Sequence, residues 1–208
     1  MAIPMNRTIA RKILASYFEA PTVRISAKIG LSPNKVTLLG IMVAGISAVL
    51  ASRGYLFASG TIFLASGFFD MIDGALARET GKVTKFGAFL DSVTDRISEA
   101  IVLLGIIIYY LNHSSQLGVI LVYCAFAGSI MVSYVRSRAE GLGVDCKTGV
   151  MTRPERVIAL GIGLIVGQWW EIALTIALGV IAVLTVMTTA QRLLYVRRLL
   201  EPQKDDTR

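Results

Sequence analysis

The fold class this sequence predicts is an all-α polytopic membrane protein, six transmembrane helices preceded by an amphipathic helix lying in the interface. Three observations lead there. Hydrophobic residues make up 54% of the chain and charged residues only 17%, with a mean hydropathy of +0.65, above what an ordinary soluble domain carries. The apolar residues gather into six stretches, each near the roughly 20 residues that a helical span needs. The basic residues fall almost entirely on alternate breaks between those stretches. Over 208 residues such a bundle leaves little chain for a soluble domain, so a single domain, 1–208, is expected.

The first element, 1–30, carries Arg7, Arg11, Lys12, Arg24 and Lys28 among Ile3, Ile9, Ile13, Leu14, Tyr17 and Phe18. At helical spacing these form a basic face and an apolar face, the pattern of a helix lying in the headgroup plane. No long apolar core or small-residue cleavage site follows the charges, so it reads as a retained interfacial helix rather than a signal peptide. The bundle, 35–198, comes next. Its first span, Lys35 to Ala51, opens on Ser32-Pro33-Asn34, with Ser32 as N-cap and Pro33 in the first turn. The others run from Leu56 to Ala77, Thr84 to Leu111, Leu117 to Ser137, Arg156 to Trp170 and Ile172 to Leu194. The breaks are short and polar, which predicts antiparallel packing of consecutive helices.

Orientation follows from charge. With the N-terminus cytoplasmic, the breaks after the second and fourth spans and the tail share its side, whereas the opposite breaks hold Arg53 as their only basic residue. That asymmetry puts the protein in the cytoplasmic membrane with its basic end inside, and Trp169 and Trp170 fit the outer aromatic belt. The net charge of +7 does not indicate nucleic acid, because the basic residues bracket spans and no groove-reading motif accompanies them. Cys124 and Cys146 lack the spacing of a metal site or a disulfide framework, and His113, in a polar turn, is given no role. The ending from Lys204 to Arg208 reads as a frayed tail.

The chemistry lies in four aspartates. Asp70 and Asp73 close the second stretch, and Asp91 and Asp95 open the third. A carboxylate at a membrane edge is expensive without compensation and so marks a function. Residues three apart on a helix are separated by about 60° and four apart by about 40°, so each pair shares a face. Across an antiparallel hairpin the two faces can enclose a site of carboxylate oxygens, suited to Mg²⁺ or Mn²⁺. Four charges so close could not all ionise without such ions. Gly74 and Gly87 remove side chains where a ligand or helix must come near, Ala77 is small, and Arg78 offers a cation to a phosphate oxygen. Plain small-residue packing would also account for the glycines and the alanine.

Asp70, Asp73, Gly74, Ala77, Arg78, Gly87, Asp91 and Asp95, spread over 26 residues, match without a departure the signature of the CDP-alcohol phosphotransferase family, which the chain strongly resembles. The six spans, the amphipathic start and Pro33-Asn34 with Thr37 extend the likeness. The resemblance implies that a hydroxyl attacks the lipid-bearing phosphorus of a CDP-linked lipid and CMP leaves. It implies two metal ions, Mg²⁺ or Mn²⁺, held by Asp70, Asp73 and Asp91, with Asp95 as general base that also touches a metal. It implies a CDP-lipid site at Asn34, Thr37, Asp73, Gly74, Ala77, Arg78 and Gly87, and a homodimer.

The acceptor is read from arginines. Arg136 and Arg138 end the fourth span, Arg156 opens the fifth and Arg192 approaches the same level on the sixth. Converging with little acidic compensation, they form a pocket for a phosphate monoester, and Glu155 orients one of them. The same residues also serve as headgroup and topology anchors, so both readings stand. The pattern resembles the branch of the family that uses inositol 1-phosphate, with two departures: relatives often carry Lys where Arg136 stands and Glu where Thr152 stands. Glycerol 3-phosphate is the alternative acceptor. The lipid, CDP-diacylglycerol or CDP-archaeol, stays open, because an apolar groove for either looks the same in hydropathy. An ion transporter is disfavoured, because the aspartates sit at one membrane edge rather than at the midplane.

Overall fold

The computed structural model describes residues 33–79, 81 and 83–201; the side chains of 33–35, 68–71, 73, 74 and 79 lie outside that description. The interfacial helix 1–30, the Ser32 cap and the tail from 204 therefore lie outside the described residues. Among those described, all regular structure is helical: α1 (Pro33–Ser52), α2 (Leu56–Glu79), α3 (Lys85–Asn112), α4 (Gln116–Glu140), α5 (Arg153–Gly167) and α6 (Glu171–Leu200). Each falls on one of the six stretches picked out by hydropathy, with α5 starting and ending three residues earlier than the stretch Arg156 to Trp170. Two of them, α4 and α6, are long and apolar enough to cross a membrane by length and composition. The apolar runs of α1 and α2 are shorter, α3 is charged in its first half, and α5 has only 15 residues.

Local sequence explains the ends. Thr84, in extended conformation, accepts from the Gly87 N–H at 2.9 Å and starts α3. Ser115 accepts from the Gly118 N–H at 3.3 Å and starts α4. Thr152 and Glu155 form a capping box at α5, with the Thr152 N–H donating to Glu155 Oε2 at 3.0 Å and Pro154 in the first turn. These groups satisfy amides that a helix leaves without a partner of its own. At the start of α2 the Phe57 N–H donates to Gln168 Oε1 at 3.1 Å, so the cap comes from the break between α5 and α6.

The helices close a ring in the order α1, α2, α5, α6, α4, α3, with α3 returning to α1, while α2 and α3 meet only over a short stretch. Consecutive helices are thus neighbours as expected for α1–α2, α3–α4 and α5–α6, whereas the expectation is corrected for α2–α3 and α4–α5. Small residues decide the partners. A side chain at Gly60 would strike the Gly161 backbone, one at Gly105 the Ala48 backbone, and one at Gly128 the Thr185 side chain. These contacts draw α2 to α5, α3 to α1 and α6 to α4, and close approach of this kind is how apolar helices associate. The core between them holds Phe63, Val102, Ile106, Val122, Leu164 and Leu178. On the outer faces Met42, Leu104, Ile120, Ile162 and Val183 are exposed, far more apolar surface than a soluble monomer presents.

Candidate active site

A cavity of about 470 Å³ opens at one end of the ring. Its walls are the first half of α3, the last turns of α4, the start of α5 and Arg192 of α6. All four segments adjoin the 80–84 break, the 141–152 connection or the end of α6, so it lies at the end where the sequence concentrates its basic residues. Among the described side chains, Asp91, Asp95, Arg136, Arg156 and Arg192 come together on it. Thr37, Ala77, Arg78, Gly87 and Arg138 do not line it. Thr37 is buried near the start of α1, where Val36 packs with Ile72 and Leu76 of α2. Ala77 is half-buried and Arg78 exposed at the end of α2. The side chains of Asn34, Asp70 and Asp73 and the surroundings of Gly74 lie outside the described residues.

Asp91 and Asp95 are both half-buried on the cavity face of α3. Among the described residues no three potential ligands group together, so the metal-cage expectation also needs Asp70 and Asp73. The chemistry of the donors nevertheless fits a hard divalent ion, because carboxylate oxygens are the ligands such ions take. Asp95 Oδ1 lies 2.9 Å from Arg153 Nη1, with the two side chains 17% and 26% exposed. Spacing along the sequence assigned no role to Arg153. One turn deeper, Arg156 donates from Nε to Glu99 Oε1 and from Nη2 to Glu99 Oε2, both at 2.8 Å.

The remaining arginines are engaged as well. Arg136 Nε lies 2.8 Å from Glu140 Oε1 on the surface of α4. Arg192 is buried, donating from Nε to the Thr148 carbonyl at 2.7 Å and from Nη1 to the Val132 carbonyl at 2.6 Å. It thereby fastens the 141–152 connection and α4 to α6. The expectation of little acidic compensation is thus corrected, since Asp95, Glu99 and Glu140 each face an arginine. Arg138 is exposed, on another side of α4 from Arg136, because two residues turn a helix by about 200°. Glu155 is taken up in the α5 cap. Cys124 is exposed, whereas Cys146 is buried despite its polar neighbourhood; both are free thiols.

The missed residues carried a faint signal. Glu99 follows Asp95 at the interval that separates Asp95 from Asp91, and Arg153 and Arg156 are spaced to share a face of α5.

Known proteins share the sequence pattern and the fold. The sequence profile of the CDP-alcohol phosphatidyltransferase family matches residues 30–190. The archaetidylinositol phosphate synthase of Methanothermobacter thermautotrophicus is 37% identical over 176 residues, covering 83% of this chain and 86% of that one. The crystal structure of Mycobacterium tuberculosis phosphatidylinositol phosphate synthase with CDP-DAG bound has a TM-score of 0.81 at 34% identity, covering 93% of this chain and 99% of that one. The structure of the same enzyme in complex with manganese and citrate gives 0.80 at 35%, over 90% and 92%. With its signature intact and the family profile running from before α1 into α6, this chain belongs to the CDP-alcohol phosphatidyltransferase family.

Proposed function

We propose that the chain transfers the phosphatidyl or archaetidyl group of CDP-diacylglycerol or CDP-archaeol to inositol 1-phosphate, releasing CMP. The observation that carries this reading is the cavity at the charged end, where Asp91 and Asp95 face Arg136, Arg153, Arg156 and Arg192. Acidic groups suited to the donor's reacting end and basic groups suited to a phosphorylated acceptor share one wall-bounded space. The names of the relatives, archaetidylinositol phosphate synthase and phosphatidylinositol phosphate synthase, support inositol phosphate as acceptor.

In this reading the acceptor hydroxyl attacks the lipid-bearing phosphorus, a new P–O bond forms, and the bond to the CMP oxygen breaks. Asp95 takes the hydroxyl proton, the task of a general base, while the Arg153 contact keeps its carboxylate directed into the cavity. Asp70, Asp73, Asp91 and Asp95 would hold two divalent ions, an assignment supported by the manganese-bound relative. Such ions supply neutralisation of the charge that grows on the leaving phosphate. Asn34, Thr37, Asp73, Gly74, Ala77, Arg78 and Gly87 would hold the CDP-lipid, and Arg136, Arg138, Arg156 and Arg192 the acceptor phosphate, with Arg138 acting from outside the cavity wall. All six helices would span the cytoplasmic membrane, apolar on their outer faces, with the cavity inside the cell. One domain, 1–208, would act in a homodimer.

The test is CMP release by purified protein given CDP-lipid, Mg²⁺ and one acceptor at a time. Inositol 1-phosphate should support release, and EDTA should abolish it. Release with glycerol 3-phosphate alone would overturn the acceptor, and a rate unaffected by EDTA would overturn the metal assignment.

A further inference from the structure

We propose that Glu99 is a positioning residue for the acceptor, aiming Arg156 at its phosphate. This rests on the transferase reading above. Glu99 stands one turn beyond Asp95 on α3 and lines the same cavity, so Asp91, Asp95 and Glu99 form a ladder along one face. Arg153 and Arg156, one turn apart on α5, meet the two inner rungs, Asp95 and Glu99. Helix α5 packs its length against α2 and α6, and these two ion pairs tie its first turn to α3 across the cavity.

The geometry of the deeper rung is directional. Glu99 takes the Nε and Nη2 edge of the guanidinium, leaving the Nη1 donors for another partner. A planar guanidinium held by both carboxylate oxygens cannot swing, so its remaining donors keep one heading. Arg156 lines the cavity although its side chain is 3% exposed, and that of Glu99 is 9% exposed. Ser129 of α4 lies beside Glu99 on the side of the neighbouring helix.

Packing alone gives no reason for the pair. A buried ion pair is often no more stabilising than apolar residues of similar volume, and apolar residues fill the adjoining interior at Val102 and Leu160. A fixed cation at the inner end of a cavity is what a phosphorylated acceptor needs. The pair also sets how deep that acceptor can sit relative to Asp95.

The experiment uses the full chain with Mg²⁺ and two variants, Glu99→Gln and the double Glu99→Leu/Arg156→Met. The double variant removes both charges together and so avoids stranding one in the interior. Two readouts are taken: the rise in thermal midpoint caused by inositol 1-phosphate without CDP-lipid, and KM for each substrate. The wild-type protein should show the rise and both variants should lose it. Glu99→Gln should raise KM for inositol 1-phosphate about tenfold or more while KM for CDP-lipid stays within about twofold. A rise of undiminished size in either variant, or none in the wild type, overturns the proposal. A wild-type rise without CMP release would instead sink the transferase reading and leave the Glu99 role standing.

Discussion

The two halves of α3 are built on opposite principles. Up to Glu99 the helix faces a cavity and carries Asp91, Asp95, Arg96 and Glu99 on it. Beyond Ala100 it buries Val102, Leu103, Ile106, Tyr109 and Tyr110 among apolar neighbours. In the first half, position is set by charges that hold one another across space; in the second, by shapes that exclude one another. The difference separates function from stability along one rod. A change in the charged half should alter turnover with modest effect on the fold, and a change in the apolar half should do the reverse.

The sharpest way to break that contrast is Asp95→Asn. An amide in place of the carboxylate keeps the shape and removes the proton acceptor, so CMP release should fall by roughly 10²- to 10⁴-fold. CDP-lipid binding should be largely retained, as measured by protection of the thermal midpoint with CDP-lipid. Turnover near the wild-type rate would refute the base role. On the other half, Gly105→Leu is the counterpart. Its side chain would run into the Ala48 main chain, which cannot retreat without parting α1 from α3. A loss of about 1–3 kcal/mol or more, read as a lowered midpoint in detergent, is expected, with the turnover per folded molecule unchanged. An unmoved midpoint would mean that the α1–α3 seam is loose.

The same contrast explains what could be read from the chain in advance. Hydropathy located all six helices, since the interval between polar breaks is a property of the local sequence. The shared face of Asp91 and Asp95 is legible for a similar reason, because i, i+4 spacing fixes it without knowledge of any other helix. Partner choice was not legible. Gly60 and Gly161, or Gly128 and Thr185, mean nothing until two helices meet, and they redirect α2 to α5 and α4 to α6. The significance of Arg153 comes from Asp95 on a different helix, and that of Arg156 from Glu99, so spacing along the chain shows neither. Arg136 and Arg138 are close along the chain, yet a helix sends them to different sides.

That last separation can be sharpened by experiment. Arg136 lines the cavity and Arg138 does not, so Arg136→Ala should raise KM for inositol 1-phosphate severalfold, whereas Arg138→Ala should act more weakly, through the outer field alone. Neither should disturb stability by more than about 1 kcal/mol, since the Arg136–Glu140 pair is exposed at 46% and 44% and pairs of that kind contribute little. Equal KM effects would indicate that general positive charge at this end, rather than a shaped pocket, attracts the acceptor.

The smallest expected effect lies where a polar contact sits in the apolar region. Ser47 Oγ donates to the Ser59 carbonyl at 2.9 Å and lies 3.0 Å from Ser59 Oγ, with both residues fully buried between α1 and α2. Hydrogen bonds between apolar helices average about 0.6 kcal/mol, less than intuition about buried polar groups would give, because the separated helices also find partners for these groups. Ser47→Ala should therefore lower the thermal midpoint by only about 1–3 °C, using the relation between free energy and melting for chains of this size, and leave CMP release unchanged. A much larger drop would place a polar clamp at the heart of the apolar half, and the division of α3 and its neighbours into a charged working end and a packed supporting end would have to be given up.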